Sequence, residues 1–169
     1  AEGIDIPVIL YNIPGRTGVN IEPETIAYLV NNVENIVGVK EASGNFSNAI
    51  KTLSLCPQID MYSGNDDQVV ALMSIGAKGV ISVLSNVAPR QTHEMCKAVL
   101  DGDIFKARKM QIEALDVINN LFAEVNPIPV KAAMNLQGKN VGPLRLPLTP
   151  MEKAHEEVLA KAMKEYGIL

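Results

Sequence analysis

The sequence predicts an α/β fold in which short parallel strands alternate with helices. Four short apolar runs stand in the first 100 residues, and each precedes a helix-like segment. The runs are continuous rather than alternating, as in GVISV, which is typical of parallel strands that are covered on both faces. Alternation of such strands with helices therefore indicates a parallel sheet with crossover helices.

The strand–helix units follow one another in a regular order. Local signals mark three helix starts: Pro23 and Glu24 put a proline and an acid in a first turn, Asn65 can cap the third helix, and Pro89 opens the fourth. The predicted pairs are Val8–Asn12 with Pro23–Asn32, Ile36–Glu41 with Phe46–Leu55, Asp60–Gly64 with Asp66–Ile75, and Gly79–Val83 with Pro89–Leu100.

The pattern changes after Leu100. Asp103–Val125 has the apolar period of one long helix, and Ile128–Leu136 and Pro150–Tyr166 are predicted as two more helices. Four strand–helix units are half of an eight-unit barrel, and a complete barrel needs about 250 residues. The 169-residue chain is therefore either a small open α/β sheet or the second half of a (β/α)8 TIM barrel. In the second case residues 1–100 form the half-barrel and residues 101–169 form a C-terminal helical region.

Composition excludes several classes of function. The net charge of −4 argues against nucleic acid as a partner, and no apolar run reaches transmembrane length. No secretory signal is recognisable at the start of the sequence. Cys56 and Cys96 have no paired spacing, so we expect reduced thiols and a cytoplasmic protein. With two histidines and neither HxxxH nor CxxC, no metal site is expected.

A single lysine closes the second predicted strand. Lys40 follows a Val/Ile-rich run, and a poorly hydrated amine is the usual nucleophile for Schiff-base formation with a keto compound. Tyr11, at the end of the first strand, can shuttle protons, and Arg16, in the next loop, can hold a carboxylate by two parallel hydrogen bonds. Alternation places Gly38 on the face of Lys40, where it leaves room for the lysine stem.

Each of these residues also has a plain structural interpretation. A strand-end lysine is most often solvated, a lone tyrosine is most often a core residue, and Arg16 could form a surface ion pair. Glu41 faces the side opposite to Lys40, which favours a structural partner over a catalytic base. His93 and His155 lie on predicted helices, where surface or packing roles are commonest.

Five segments taken together carry a more specific signal: YNIPGRTG, GVKEASGN, YSGNDD, GAKGVISVLSNVAP and NPIPVKAAMNLQG…LRLPLTP. In this order, over essentially the whole chain, they resemble the C-terminal part of the dihydrodipicolinate synthase family of pyruvate-dependent Schiff-base aldolases. The resemblance implies a (β/α)8 barrel with an added helical region. It also implies condensation of pyruvate with aspartate semialdehyde in the diaminopimelate route to lysine.

The resemblance assigns a role to each matching position. Lys40 is implied to form the imine with pyruvate, and Tyr11 to belong to a proton relay beside it. Arg16 is implied to hold the carboxylate of the aldehyde, and Gly64 and Ile81 to line the pyruvate pocket mainly through backbone groups. No metal or separate cofactor is implied, because the covalent lysine imine itself acts as the electron sink.

The N-terminal portion of the family has no counterpart in this chain, so Tyr11 lacks both relay partners. We therefore expect little activity from the chain alone, and either a homo-oligomer or pairing with a missing N-terminal half. A sibling enzyme, N-acetylneuraminate lyase or a keto-sugar-acid aldolase, shares the lysine and tyrosine, although Arg16 favours a short aldehyde with a carboxylate. The non-enzymatic alternative is a half-barrel or truncated paralogue that self-associates through exposed strand edges.

Overall fold

The computed structural model describes residue 1 and residues 3–169; Glu2, which falls in the predicted first domain, lies outside the described residues. The chain divides into two compact units, Ala1–Ile81 and Ser82–Leu169. These units are defined by their internal packing alone, so the predicted domain boundary after Leu100 stays a prediction. Each unit is described separately below.

The first unit contains a four-stranded parallel sheet in the order β1-β2-β3-β4. This confirms the α/β class and all four predicted strands, two of them with their predicted bounds. The strands are β1 (Val8–Asn12), β2 (Ile36–Glu41), β3 (Asp60–Ser63) and β4 (Gly79–Val80).

The fourth strand is shorter than the predicted Gly79–Val83. Strand pairing continues one residue past β4, where the Ile81 N–H donates to the Ser63 carbonyl at 2.9 Å. The chain then turns, because the Ser82 hydroxyl accepts the Ser85 N–H at 2.8 Å at the start of a 3₁₀ turn. A side-chain acceptor of this kind competes with the sheet for the backbone donor.

Helices of the first unit follow the predicted order. The helices Pro23–Asn32 and Phe46–Leu55 have the predicted bounds. The predicted helix Asp66–Ile75 instead divides into a 3₁₀ turn and a shorter helix. Asn65 does not cap it with its side chain. The Ser63 hydroxyl instead donates to the Asn65 carbonyl at 2.8 Å, which holds the chain in a turn. The elements are α1 (Pro14–Thr17), α2 (Pro23–Asn32), α3 (Phe46–Leu55), the 3₁₀ turn Asp66–Gln68 and α4 (Val69–Ser74).

The two faces of the sheet differ in their environment. Val39 and Met61 are fully buried on the face where α2 packs against β2 and α4 against β3. Ile9 and Tyr11 remain 43% and 46% exposed. A register shift between Val8 and Ile9 gives β2 one extra residue there, as in a β-bulge. From Ile9 onward, the residues that flank Lys40 on neighbouring strands therefore share its exposed face.

The second unit is helical. Its helices are α5 (Pro89–Leu100), α6 (Ile104–Glu113), α7 (Leu115–Asn120), α8 (Ile128–Leu136) and α9 (Lys153–Glu165). The bounds of α5 and α8 are as predicted, and α9 is slightly shorter than the predicted Pro150–Tyr166. Leu121, Ala133, Leu159 and Met163 are fully buried in its apolar core.

The prediction of one long helix over Asp103–Val125 is wrong. The helix is interrupted at Ala114, and α7 ends at Asn120, whose side-chain amide donates to the Asp116 carbonyl at 2.9 Å. Ala114 keeps right-handed backbone angles and is buried, so the apolar period continues across the break. Periodicity alone therefore could not reveal the interruption.

Candidate active site

Tyr11 and Lys40 come together at the carboxyl ends of two neighbouring strands. They are register partners on β1 and β2, and Tyr62 on β3 is the partner of Lys40 on its other side. The Lys40 Nζ lies 4.2 Å from the centre of the Tyr11 ring. A lysine ammonium over a tyrosine face is attracted by the ring electrons, and the Nζ stays within reach of a ligand on the open face of the sheet.

Room for the lysine stem comes from Gly64 rather than from Gly38. A Cβ on Gly64 would lie 2.6 Å from the Ala42 Cβ and 3.1 Å from the Lys40 Cε, so it would clash with Ala42 and crowd the lysine stem. A Cβ on Gly38 would instead meet the Asp60 backbone oxygen at 2.6 Å. The Gly38 prediction is therefore corrected: that glycine permits close approach of β2 and β3.

Arg16 lies on the short helix α1, in the loop that follows β1. Pro14 is the first residue of α1, and Gly18, with φ +72°, ends it in the left-handed conformation that favours glycine. The Thr17 hydroxyl accepts the Val19 N–H at 3.3 Å and stabilises this turn. Arg16 is exposed, and no described residue forms an ion pair or side-chain hydrogen bond with it. Its guanidinium is therefore available to an external carboxylate.

Gly64 and Ile81 lie just beyond β3 and β4, as the sequence predicts. The Gly64 N–H donates to the Glu41 carbonyl at 2.7 Å, and the Ile81 N–H donates to the Ser63 carbonyl. Because both donors are already used between strands, these residues can offer a ligand only their carbonyl oxygens and surfaces. Their role in a pocket stays a prediction.

A buried polar pair lies immediately behind the site, and sequence reasoning found only half of it. Glu41 is 3% exposed and Asn12 is 1% exposed, and they are register partners one residue beyond Lys40 and Tyr11. Glu41 faces away from Lys40, as predicted. Asn12 was missed, although an amide as the last residue of an apolar strand is itself unusual at a buried position.

Two of the residues predicted to be non-catalytic have partners within their own units. His155, on α9, is 2.8 Å from the Glu124 carboxylate, and this hydrogen bond holds the pKa of Glu124 below its usual value. Cys56 is buried and its thiol donates to the Thr52 carbonyl at 3.2 Å; burial raises the pKa of this thiol. The described residues contain no cluster of His, Cys, Asp and Glu that could hold a metal ion. Nor does any helix among them have the length and apolar character needed to cross a membrane.

Comparison with known proteins places this arrangement in a family. A sequence profile described as the dihydrodipicolinate synthetase family matches residues 1–166. A 4-hydroxy-tetrahydrodipicolinate synthase from Lachnoclostridium phytofermentans is 55% identical over 170 aligned positions, which cover all of this chain and 58% of that protein. The chain thus spans somewhat more than half the length of the curated relatives it matches.

Solved structures agree with the sequence match. The crystal structure of dihydrodipicolinate synthase from Thermotoga maritima is 42% identical, with a TM-score of 0.96 over 99% of this chain and 58% of that one. The chloride-inhibited Acinetobacter baumannii synthase, solved in complex with pyruvate, is 38% identical, with a TM-score of 0.94 over 99% of this chain and 58% of that one. Fold and site thus define an α/β protein with a lysine at a strand end beside a tyrosine. The chain belongs to the dihydrodipicolinate synthetase family.

Proposed function

We propose that this chain is the lysine-bearing part of a 4-hydroxy-tetrahydrodipicolinate synthase, which condenses pyruvate with aspartate semialdehyde in lysine biosynthesis. The observation that carries the proposal is the pairing of Lys40 with Tyr11 at neighbouring strand ends, with the amine 4.2 Å from the ring centre. Relatives that carry this name match the whole chain at about half identity, and a related synthase has been solved with pyruvate.

The chemistry begins with Lys40. Its neutral amine attacks the keto carbon of pyruvate, and loss of water leaves an iminium on the Nζ. The iminium withdraws electrons, so a proton leaves the methyl carbon and an enamine forms. The enamine carbon then attacks the aldehyde carbon of the semialdehyde, and the new alkoxide takes up a proton. The amino group of the semialdehyde attacks the iminium carbon that results, and the Lys40 amine leaves, which frees the lysine. Tyr11 is the proposed group for these proton transfers, because it lies directly beside the amine.

Arg16 and the backbone at two other strand ends complete the proposed site. Arg16 would hold the carboxylate of the semialdehyde by two charge-assisted hydrogen bonds, since no described side chain occupies its guanidinium. Gly64 would admit the lysine stem and, with Ile81, line the pyruvate pocket. The covalent imine supplies the electron sink, so the proposed mechanism needs no separate cofactor.

We further propose that the four-stranded sheet is the second half of a barrel and that its open face is completed by other chain segments. The exposed Ile9, Tyr11 and Ile81 lie on strands or strand ends that a full barrel would enclose. A homo-oligomer, or pairing with an N-terminal half, follows from the same open face. Cytoplasmic location is part of the proposal, because Cys56 and Cys96 have no paired spacing.

Reduction of the imine tests the function directly. The complete product of the gene is incubated with pyruvate and borohydride, and the adduct is located by peptide mass spectrometry. We expect one adduct, on Lys40, and its complete loss in Lys40→Ala, while the exposed control Lys78→Ala keeps it. An adduct on Lys131, or none with pyruvate, would overturn the assignment, and a preference for N-acetylneuraminate would indicate the sibling lyase.

A further inference from the structure

One buried side chain, that of Asn12, connects the two ends of the loop that carries Arg16 by hydrogen bonds. Asn12 ends β1, and its Oδ1 accepts the Ile21 N–H at 3.0 Å while its Nδ2 donates to the Asn20 Oδ1 at 3.0 Å. The chain between these points, residues 13–19, includes α1. The position of the exposed guanidinium therefore depends on the orientation of the Asn12 amide.

That orientation is set by Glu41. The Asn12 Nδ2 also donates to the Glu41 carboxylate, at 3.1 Å to Oε2 and 3.4 Å to Oε1. The Ser43 N–H donates to the Glu41 Oε1 at 2.6 Å. Because the carboxylate of Glu41 can only accept hydrogen bonds, the Asn12 amide must present its nitrogen to it.

Backbone bonds join the same two residues to the sheet. The Ala42 N–H donates to the Asn12 carbonyl at 2.9 Å, and the Gly64 N–H donates to the Glu41 carbonyl at 2.7 Å. The pair is therefore continuous with the ends of three strands. Both side chains nevertheless face away from Lys40, so neither can touch a substrate on the open face.

We propose that Asn12 and Glu41 are a positioning pair, which orients the Arg16 loop toward the aldehyde substrate without taking part in imine formation. This inference rests on the proposed function. It predicts that disturbing the pair raises the Michaelis constant for the semialdehyde and leaves pyruvate capture by Lys40 nearly unchanged.

The test uses two single substitutions and their combination in the complete gene product. Asn12→Asp places a second carboxylate against Glu41 and removes the amide donor, and Glu41→Gln removes the charge. Together they restore a carboxylate–amide pair with the roles exchanged. The new amide at position 41 can donate to the new carboxylate at position 12 and still accept from Ser43, and that carboxylate can accept from Ile21. The Asn20 side chain, which accepts from Asn12 in the parent, must turn over so that its own amide donates to this carboxylate. Asn31→Asp, at an exposed position on α2, is the matched control for the added charge.

We expect Asn12→Asp to raise the Michaelis constant for the semialdehyde about tenfold, with borohydride trapping of pyruvate within about twofold of the parent. The double variant should recover most of the affinity, and Asn31→Asp should change neither quantity. Recovery separates positioning from a general loss of stability, because a fold defect would affect both substrates.

Three outcomes would overturn parts of this argument, and they are distinguishable. A parent protein that traps no pyruvate refutes the proposed function. A trapping-competent parent whose Asn12→Asp variant keeps its Michaelis constant refutes the positioning pair alone. Equal loss of trapping and of aldehyde affinity in both single variants, without recovery in the double variant, shows that the pair only maintains the fold and also refutes it.

Discussion

The two compact units differ in the number of polar and charged side chains that they bury. The fully buried polar or charged side chains of the first unit are Asn12, Glu41, Thr52, Ser63 and Asp66, whereas Thr92 is the one described in the second. The ion pair Lys97–Asp101 of the helical unit, by contrast, lies at the surface. A parallel sheet brings several strand ends to one edge, where backbone donors and acceptors can satisfy buried polar groups, and a helical core offers few such groups. The sheet unit is therefore the one equipped to position a reactive amine.

The strongest test of this comparison is the chain by itself. The 169-residue polypeptide should be about 10²–10⁴-fold less active than a complete synthase, because Tyr11 has no described relay partner and the face of Lys40 is open to water. It should also self-associate, since β1 and β4 are unpaired edges of the described sheet. Sedimentation with a coupled assay measures both. A monodisperse monomer with full turnover would show that the open sheet is sufficient.

The second prediction concerns the space around Lys40 in the sheet unit. Gly64→Ala places a methyl group 2.6 Å from the Ala42 Cβ and 3.1 Å from the Lys40 Cε. We expect unfolding to be easier by about 1–3 kcal/mol and pyruvate trapping to fall sharply. Gly15→Ala is the control, because nothing lies within 4 Å of its added methyl. Thermal unfolding and adduct yield would be compared, and normal trapping in Gly64→Ala would mean that Lys40 needs no such space.

Arg16→Ala should act on one substrate only. Losing a charge-assisted bidentate contact lowers affinity for the semialdehyde at least about tenfold, whereas imine formation with pyruvate does not need the guanidinium. Steady-state kinetics with each substrate varied in turn separates the two effects. If imine formation falls equally, Arg16 shapes its loop instead of binding substrate.

The smallest effect is expected at the partly buried pair of His155 and Glu124 in the helical unit. The hydrogen bond from His155 lowers the pKa of Glu124, so this carboxylate stabilises the fold above its unfolded-state pKa. The contribution is lost as the pH falls through the lower, folded-state pKa. His155→Ala should therefore reduce the acid dependence of the melting temperature by a small amount, and leave pyruvate trapping unchanged. Unaltered melting curves between neutral and acidic pH would show that the pair contributes nothing.

Local sequence signals determined much of this structure. Continuous apolar runs and the prolines at Pro23 and Pro89 located the strands and several helices, because propensity and start signals act within a few residues. They also predicted that Tyr11 and Lys40 lie near the carboxyl ends of their strands, where the structure has them as register partners. The motif resemblance identified the family, which the comparisons confirm.

Only the tertiary structure decided which residues of neighbouring strands contact one another. Gly64 rather than Gly38 makes room for the lysine, because that contact joins residues from separate strand ends. The partnership of Asn12 with Glu41 likewise joins positions 29 apart in the chain. The break between α6 and α7 at Ala114 could not be predicted from the apolar pattern, because a buried alanine at that position continues the helical period. Local sequence specifies which residues end a strand, but the register between strands sets which side chains meet there.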